Sequence, residues 1–159
     1  MKIKKIHVLI PVIGAIILLL LIFLMLQPLS NAGQTDYSIF TIGNKSFAIT
    51  YVAENYSTWA SGLMNRTVTN STTMLFVFTQ LGIYPFWMYN TYANLDMIWL
   101  NGSGDGARIV YIVKNATSCF DRNSCTVYTP TLLANYVIEA KAGFVDRNNV
   151  QVGEDVSFR

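Results

Sequence analysis

The sequence predicts an all-β domain, mainly β with one or two short helices and of sandwich or barrel-like form, carried on an N-terminal transmembrane helix. Three observations predict it. An uncharged apolar run near the N-terminus is as long as a bilayer core is thick. Beyond it the chain breaks into about eight short runs rich in β-branched and aromatic residues. Turn signals such as Gly43-Asn44 and GSGDG (102–106) separate those runs, with little helical periodicity between them.

From Ile6 to Leu26 there is no Asp, Glu, Lys or Arg, and the run includes IILLLLIFLML. A helix of that length, at 1.5 Å per residue, is about 31 Å long, which matches a bilayer core. Pro11 falls in the first turns, where it costs little, and His7 sits at the edge. Lys2, Lys4 and Lys5 all precede the run, so by the positive-inside rule the N-terminus is cytoplasmic. The expected organisation is a basic tail (1–5), a single-pass membrane anchor (6–27), a polar linker (28–36) and an extracytoplasmic domain (37–159). A cleaved signal peptide is the rival reading, with Ser30 and Ala32 as the small residues before the cut. The apolar core exceeds the roughly 7–15 residues usual for signal peptides, which favours an uncleaved anchor in the cell membrane.

Past Gly33 the chain holds eight Lys and Arg against nine Asp and Glu. No basic stripe is present, which argues against nucleic acid as the partner. N-x-S/T sequons begin at Asn44, Asn55, Asn65, Asn70, Asn101 and Asn115. The composition predicts about two by chance, so the excess points to glycosylation of an exported surface. Cys119 and Cys125, in CFDRNSC, are the only cysteines. Outside the cell they read as a local disulfide, with two free thiols as the alternative. Two Cys without a neighbouring His cannot fill a tetrahedral shell, so no metal is expected, and no cofactor is implied.

Each element follows from its residues. Tyr37–Ile42 and Ser46–Val52 alternate about Gly43-Asn44 and read as a hairpin. Asn55 is placed to cap a short helix reaching Leu63, with Trp59 and Leu63 on one face. MLFVF (74–78) reads as a buried strand, and FWM (86–88) and LDMIWL (95–100) as two more. ARIVYIV (107–113) pairs back across GSGDG. Cys119–Cys125 is a surface loop, YVIEA (136–140) a strand, and Phe144–Asn148 a helical turn. Val150, Val152, Val156 and Phe158 close the domain around Gly153-Glu154.

The segments GLMNR (62–66), MLFVF, FWMYNT (86–91), LDMIWL and YVIEAKAGFVDRNNVQVGEDV (136–156) occur in an order and spacing that resembles the domain-of-unknown-function 192 family, also called uncharacterised protein family 0127. The resemblance spans about residues 59–158, and the Cys pair before Tyr128-x-Pro130 also looks like the family. Tyr89 departs from it, because members usually carry Lys between the Met and the Asn. The resemblance implies a compact, mainly β domain, often exported or membrane-attached. It implies no function.

Without a His in the exported part, Ser-His-Asp and Cys-His chemistry is excluded. A polar set inside the apolar motifs remains: Arg66, Asn90, Thr91 and Asp96. One reading joins them to Trp87 and Met88 as a ligand cleft. The other makes Arg66 and Asp96 an internal ion pair and Asn90-Thr91 a tight turn. Trp59, Phe86, Trp87 and Trp99 are either core or a sugar-stacking platform, and Asp96 with Glu139 could form a glycosidase pair only if the fold sets them about 5–10 Å apart. The expectation is a non-catalytic binding or accessory module for a cell-surface glycan or a membrane-associated protein. The alternatives are a hydrolase using Asp96 and Arg66, and a glycosylated structural protein of the envelope.

Overall fold

The computed structural model describes residues 37–159 together with Ile17, Leu18 and Phe23, which are helical. The basic tail, the linker and the rest of the expected anchor (6–27) lie outside the described residues. Among the described residues no helix is long and apolar enough to cross a membrane.

Residues 37–159 belong to one compact unit built on a single curved sheet. Its strands in chain order are β1 (Ile39–Ile42), β2 (Lys45–Ala48), β3 (Tyr51–Ala53), β4 (Thr73–Gly82), β6 (Leu95–Ser103), β7 (Gly106–Ala116), β9 (Ala134–Lys141) and β10 (Asp155–Phe158). Two short strands, β5 (Phe86–Trp87) and β8 (Val127–Tyr128), form a separate antiparallel ribbon. Two short helices, α1 (Tyr56–Ser61) and α2 (Phe144–Asn148), complete the domain. The spatial order is β2-β1-β10-β7-β6-β9-β4-β3, with every pair antiparallel except β3 and β4.

The connection from β2 to β3 dictates the curvature. These are the two outermost strands of the sheet, yet only Ile49 and Thr50 lie between them. Three residue steps reach at most about 11 Å, so the edges must come together and the sheet curls into a half-barrel. Thr73 sews the corner: its hydroxyl donates to the Ala48 carbonyl and its own carbonyl accepts from Thr50 N–H. The run expected as one strand, Ser46–Val52, therefore breaks in its middle. Nor is the domain a sandwich of two facing sheets.

The expected hairpins are present. Ile42 pairs with Lys45 across Gly43-Asn44, and Ser103 with Gly106 across Gly104-Asp105. Both leading glycines have positive φ, +58° and +61°, the sense that matches the strand twist in two-residue loops. Asn55 caps α1 as expected: its Oδ1 accepts from Thr58 N–H at 3.1 Å, and Thr58 Oγ1 accepts from Asn55 N–H at 3.2 Å. The helix stops at Ser61 because Gly62 turns the chain at φ +45°, so Leu63 reaches the core from beyond it. Phe86-Trp87-Met88 contributes only the two residues of β5 to strand, and Val152 is exposed rather than part of the closing strand.

Both faces of the central strands are covered. On one face Leu75, Ile98, Leu100, Ile138 and Ala140 pack with Phe40, Phe144, Val145 and Phe158. On the other, Met74, Phe76, Met97, Trp99 and Val137 pack under Leu63, Met88 and the half-buried Trp59, Tyr84 and Phe86. A strand dry on both sides is apolar at successive positions, which is why MLFVF and LDMIWL lack strict alternation.

Asp96 is the exception in β6, and it is only 1% exposed. Its side chain faces the Ala140–Val145 side, where Oδ1 accepts from Asn115 N–H and Oδ2 from Val145 N–H, both at 2.9 Å. The first bond holds the left-handed Asn115 (φ +53°), near which the β6–β7 register shifts. The second caps α2, whose N-cap Gly143 has no side chain to do so. The expected ion pair with Arg66 does not form. Arg66 lies on the other side of the sheet, where its Nε donates to the Gly62 carbonyl at 3.2 Å and its guanidinium sits 4.3 Å above the Tyr51 ring.

Replacing Asp96 by Ala removes the acceptor of the buried Val145 N–H at the start of α2 and of the Asn115 N–H. Leaving a buried donor without its acceptor costs about 1–3 kcal/mol and a second lost bond about 0.5–1.5 more, so Asp96→Ala is expected to lose roughly 2–4 kcal/mol in urea unfolding. A loss below about 1 kcal/mol would contradict this role.

Candidate functional site

Glu139 lies in the middle of β9, where every other residue from Val137 to Ala140 is a buried hydrophobe. Its register partners are Met74 on β4 and Met97 on β6, so its side chain rises on the face opposite Asp96. It is 4% exposed, and Oε2 is the one buried side-chain oxygen or nitrogen without a hydrogen-bond partner among the described residues. Burial pushes its pKa from 4.5 up to about 8, so the carboxyl is mostly protonated at neutral pH.

Glu139 also lines a cavity of about 30 Å³ whose walls include Trp59, Leu63, Phe76, Phe86, Trp87 and Thr91. Gly62 shapes the wall. A Cβ there would come within 3.3 Å of the Phe76 ring and 3.8 Å of Oε2, and the positive φ already disfavours other residues.

Outside the cavity runs a groove of about 530 Å³ lined by Tyr56, Trp59, Phe78, Tyr84, Phe86 and Trp87, with Thr79 and Gln80 at its polar side. Trp59, Ala60, Phe86 and Trp87 line both spaces, so the cavity adjoins the groove. The walls are locked in place. The Trp59 indole N–H donates to the carbonyls of Ala53 at 3.0 Å and Val77 at 3.1 Å, tying α1 to β3 and β4. Tyr84 stacks on Phe78 with centroids 3.7 Å apart, and its hydroxyl donates to the Gln80 carbonyl. Phe86 meets both Phe76 and Trp99 edge-on.

The loop Cys119–Cys125 flanks the other side of Trp87. Its cysteines lie at disulfide distance, with Cα atoms 5.5 Å apart. Arg122 on this loop stands over the rings of Trp87, at 5.4 Å, and Tyr89, at 5.1 Å.

Of the six residues expected to form a cleft, Trp87 and Thr91 reach this site. Met88 is fully buried in the core beneath it. Asn90 is a backbone hinge at φ +51°: its N–H donates to the Cys119 carbonyl and its carbonyl accepts from Asn65 N–H, both at 2.9 Å. Arg66 and Asp96 are engaged elsewhere, so the arginine–aspartate pair that a hydrolase reading needs is not assembled. Asp96 and Glu139 face opposite sides of the sheet and cannot act on one glycosidic bond. Of the four aromatics considered as a platform, Trp59, Phe86 and Trp87 line the groove, whereas Trp99 is core. All six sequon asparagines are exposed.

A wider depression of about 890 Å³ lies over β7 and β10. Its charges are already engaged: Arg108 pairs with Asp155 at 2.9 Å, and Glu154 accepts from Gln151 N–H. Glu139 itself was missed as a centre by sequence reasoning. Its signal was a single carboxylate inside the apolar run YVIEA.

Below about pH 4.5 Glu139 is protonated whether the chain is folded or not. Between there and about pH 8 the unfolded chain releases the proton and the folded chain keeps it, so stability falls as pH rises. Glu139→Gln has no such slope. Its thermal stability relative to wild type is expected to rise from pH 5 to 8, by up to about 1.4 kcal/mol per unit, and then to level off. A difference that stays constant across that range would refute the buried neutral carboxyl.

Comparison with known proteins matches residues 39–158 to the DUF192 family model, described as an uncharacterised ACR. No curated protein matches the chain. Two solved structures are similar. One, described as a candidate transcription regulator from Sinorhizobium meliloti 1021, is 27% identical with a TM-score of 0.65, covering 79% of this chain and 98% of that one. The other, a protein of unknown function from Novosphingobium aromaticivorans DSM 12444, is 23% identical with a TM-score of 0.65, covering 82% and 89%. The chain therefore belongs to the DUF192 family.

Proposed function

We propose that this is a non-catalytic binding module held on the outer face of the cell membrane by the single-pass segment 6–27, with a cell-surface glycan as its ligand. One observation carries the ligand assignment: an aromatic groove adjoins a small cavity lined by a buried carboxyl that has no partner of its own. Sugars offer apolar C–H faces to aromatic rings and hydroxyls to polar edges. Trp59, Phe86 and Trp87 provide the rings, and Thr79 and Gln80 the edge. No second carboxylate lines the groove or the adjoining cavity, so the paired acid and base of glycoside hydrolysis are missing there. The anchor and the excess of sequons support an exported setting. The exposure of all six asparagines leaves each open to modification, and a glycosylated outer surface is part of the same reading.

The test is a tryptophan-fluorescence titration of the full chain, in detergent, against a panel of envelope oligosaccharides. Trp87→Ala is expected to fold and to bind at least about tenfold more weakly, equivalent to about 1.4 kcal/mol. Binding that Trp87→Ala leaves unchanged, or a wild type that binds no member of the panel, would remove the reading.

A further inference from the structure

The cavity beside the groove has room for about two waters, at roughly 10–15 Å³ each. A small group of the ligand therefore fits it, and a whole sugar ring does not. Its chemistry is mixed in a specific way. The walls at Leu63, Phe76, Phe86 and Trp59 are apolar, and the unpartnered Glu139 carboxyl is among the groups that line it. A buried polar atom in that state costs free energy until something supplies the missing bond.

We infer that Glu139 is the specificity-determining residue of the groove, and that its carboxylic acid donates a hydrogen bond to the acetamido carbonyl of an N-acetylated amino sugar. The inference rests on the glycan reading of the groove and deepens it. An acetamido group brings one acceptor for the Glu139 carboxyl and one methyl for the apolar wall. A hydroxyl would meet the carboxyl and leave the wall bare. A phosphate or carboxylate on the ligand finds no Lys or Arg lining the groove or the cavity. An ammonium would have to ionise Glu139 and desolvate two charges at once. Arg66, on the segment packed against Glu139, is bonded to the Gly62 carbonyl and stacked on Tyr51, and it forms no ion pair with Glu139.

The experiment uses the full chain in nanodiscs and isothermal titration with three matched trisaccharides: N-acetylglucosamine, glucosamine and glucose, each β-1,4-linked. Wild type is expected to prefer the N-acetylated trimer over the glucose trimer by about tenfold or more, because a site built around a hydrogen bond rejects the analogue lacking it. Glu139→Gln keeps a neutral donor and is expected to retain that preference. Glu139→Leu suits its apolar neighbours and folds, and is expected to bind both trimers with the weaker affinity. Equal binding of the N-acetylated and glucose trimers by wild type would overturn the inference and leave the groove reading standing. Tightest binding of the glucosamine trimer, abolished in Glu139→Gln, would replace it with an ammonium site. Binding of none of the three, with Trp fluorescence also silent, would overturn both readings.

Discussion

The centres of β4, β9 and β6 are buried on both faces, so a polar side chain there has few partners besides those the protein supplies. Two carboxylates occupy this layer, and they meet the constraint in opposite ways. Asp96 accepts two backbone N–H groups and thereby ties the β6–β7 irregularity to the start of α2. Glu139, one strand over and on the other face, meets no donor and stays protonated instead. The first arrangement stabilises the fold. The second leaves an unmet bond near an aromatic groove, and it persists only because the rest of the domain outweighs its cost.

The groove exists because of how the sheet closes. The two-residue step from β2 to β3 draws the sheet's edges together and delivers the chain to α1 above the face that Glu139 occupies. The Asn55 cap, the Gly62 turn and the bifurcated Trp59 bond then place one wall with little freedom. The opposite wall comes from Tyr84 and the β5–β8 ribbon, pinned by Phe78, Phe76 and Trp99. Rigid walls lower the entropy lost on binding, which favours recognition of a weakly interacting ligand.

Two of the motif segments, GLMNR and FWMYNT, meet at this region. GLMNR supplies the cavity wall at Gly62 and Leu63, and Asn65 reaches the Asn90 carbonyl within FWMYNT. FWMYNT in turn joins the Cys119–Cys125 loop through Asn90 and Met88. Tyr89, the departure from the family pattern, stands beneath Arg122 of that loop beside Trp87. The polar positions of these motifs thus act mainly through backbone geometry. Asn65, Asn90 and Asn115 all adopt positive φ, which asparagine tolerates better than most residues.

Local chemistry was legible in the sequence. Asn55 as a cap, Gly43-Asn44 and Gly104-Asp105 as turns, the apolar runs as buried strands and the family itself follow from residue type and spacing, because each depends on neighbours a few positions away. Pairing across the sheet is a different matter. Whether Asp96 meets Arg66 or two amides, and whether Glu139 meets anything, depends on strand order and on which face each residue takes. Those are set by contacts between segments dozens of residues apart, and by a register in which one step moves a side chain through the sheet. The sequence therefore determined a β-rich family domain with capped and turned segments. The tertiary structure alone decided that of its two buried carboxylates one is satisfied and the other lies unpartnered beside a small cavity.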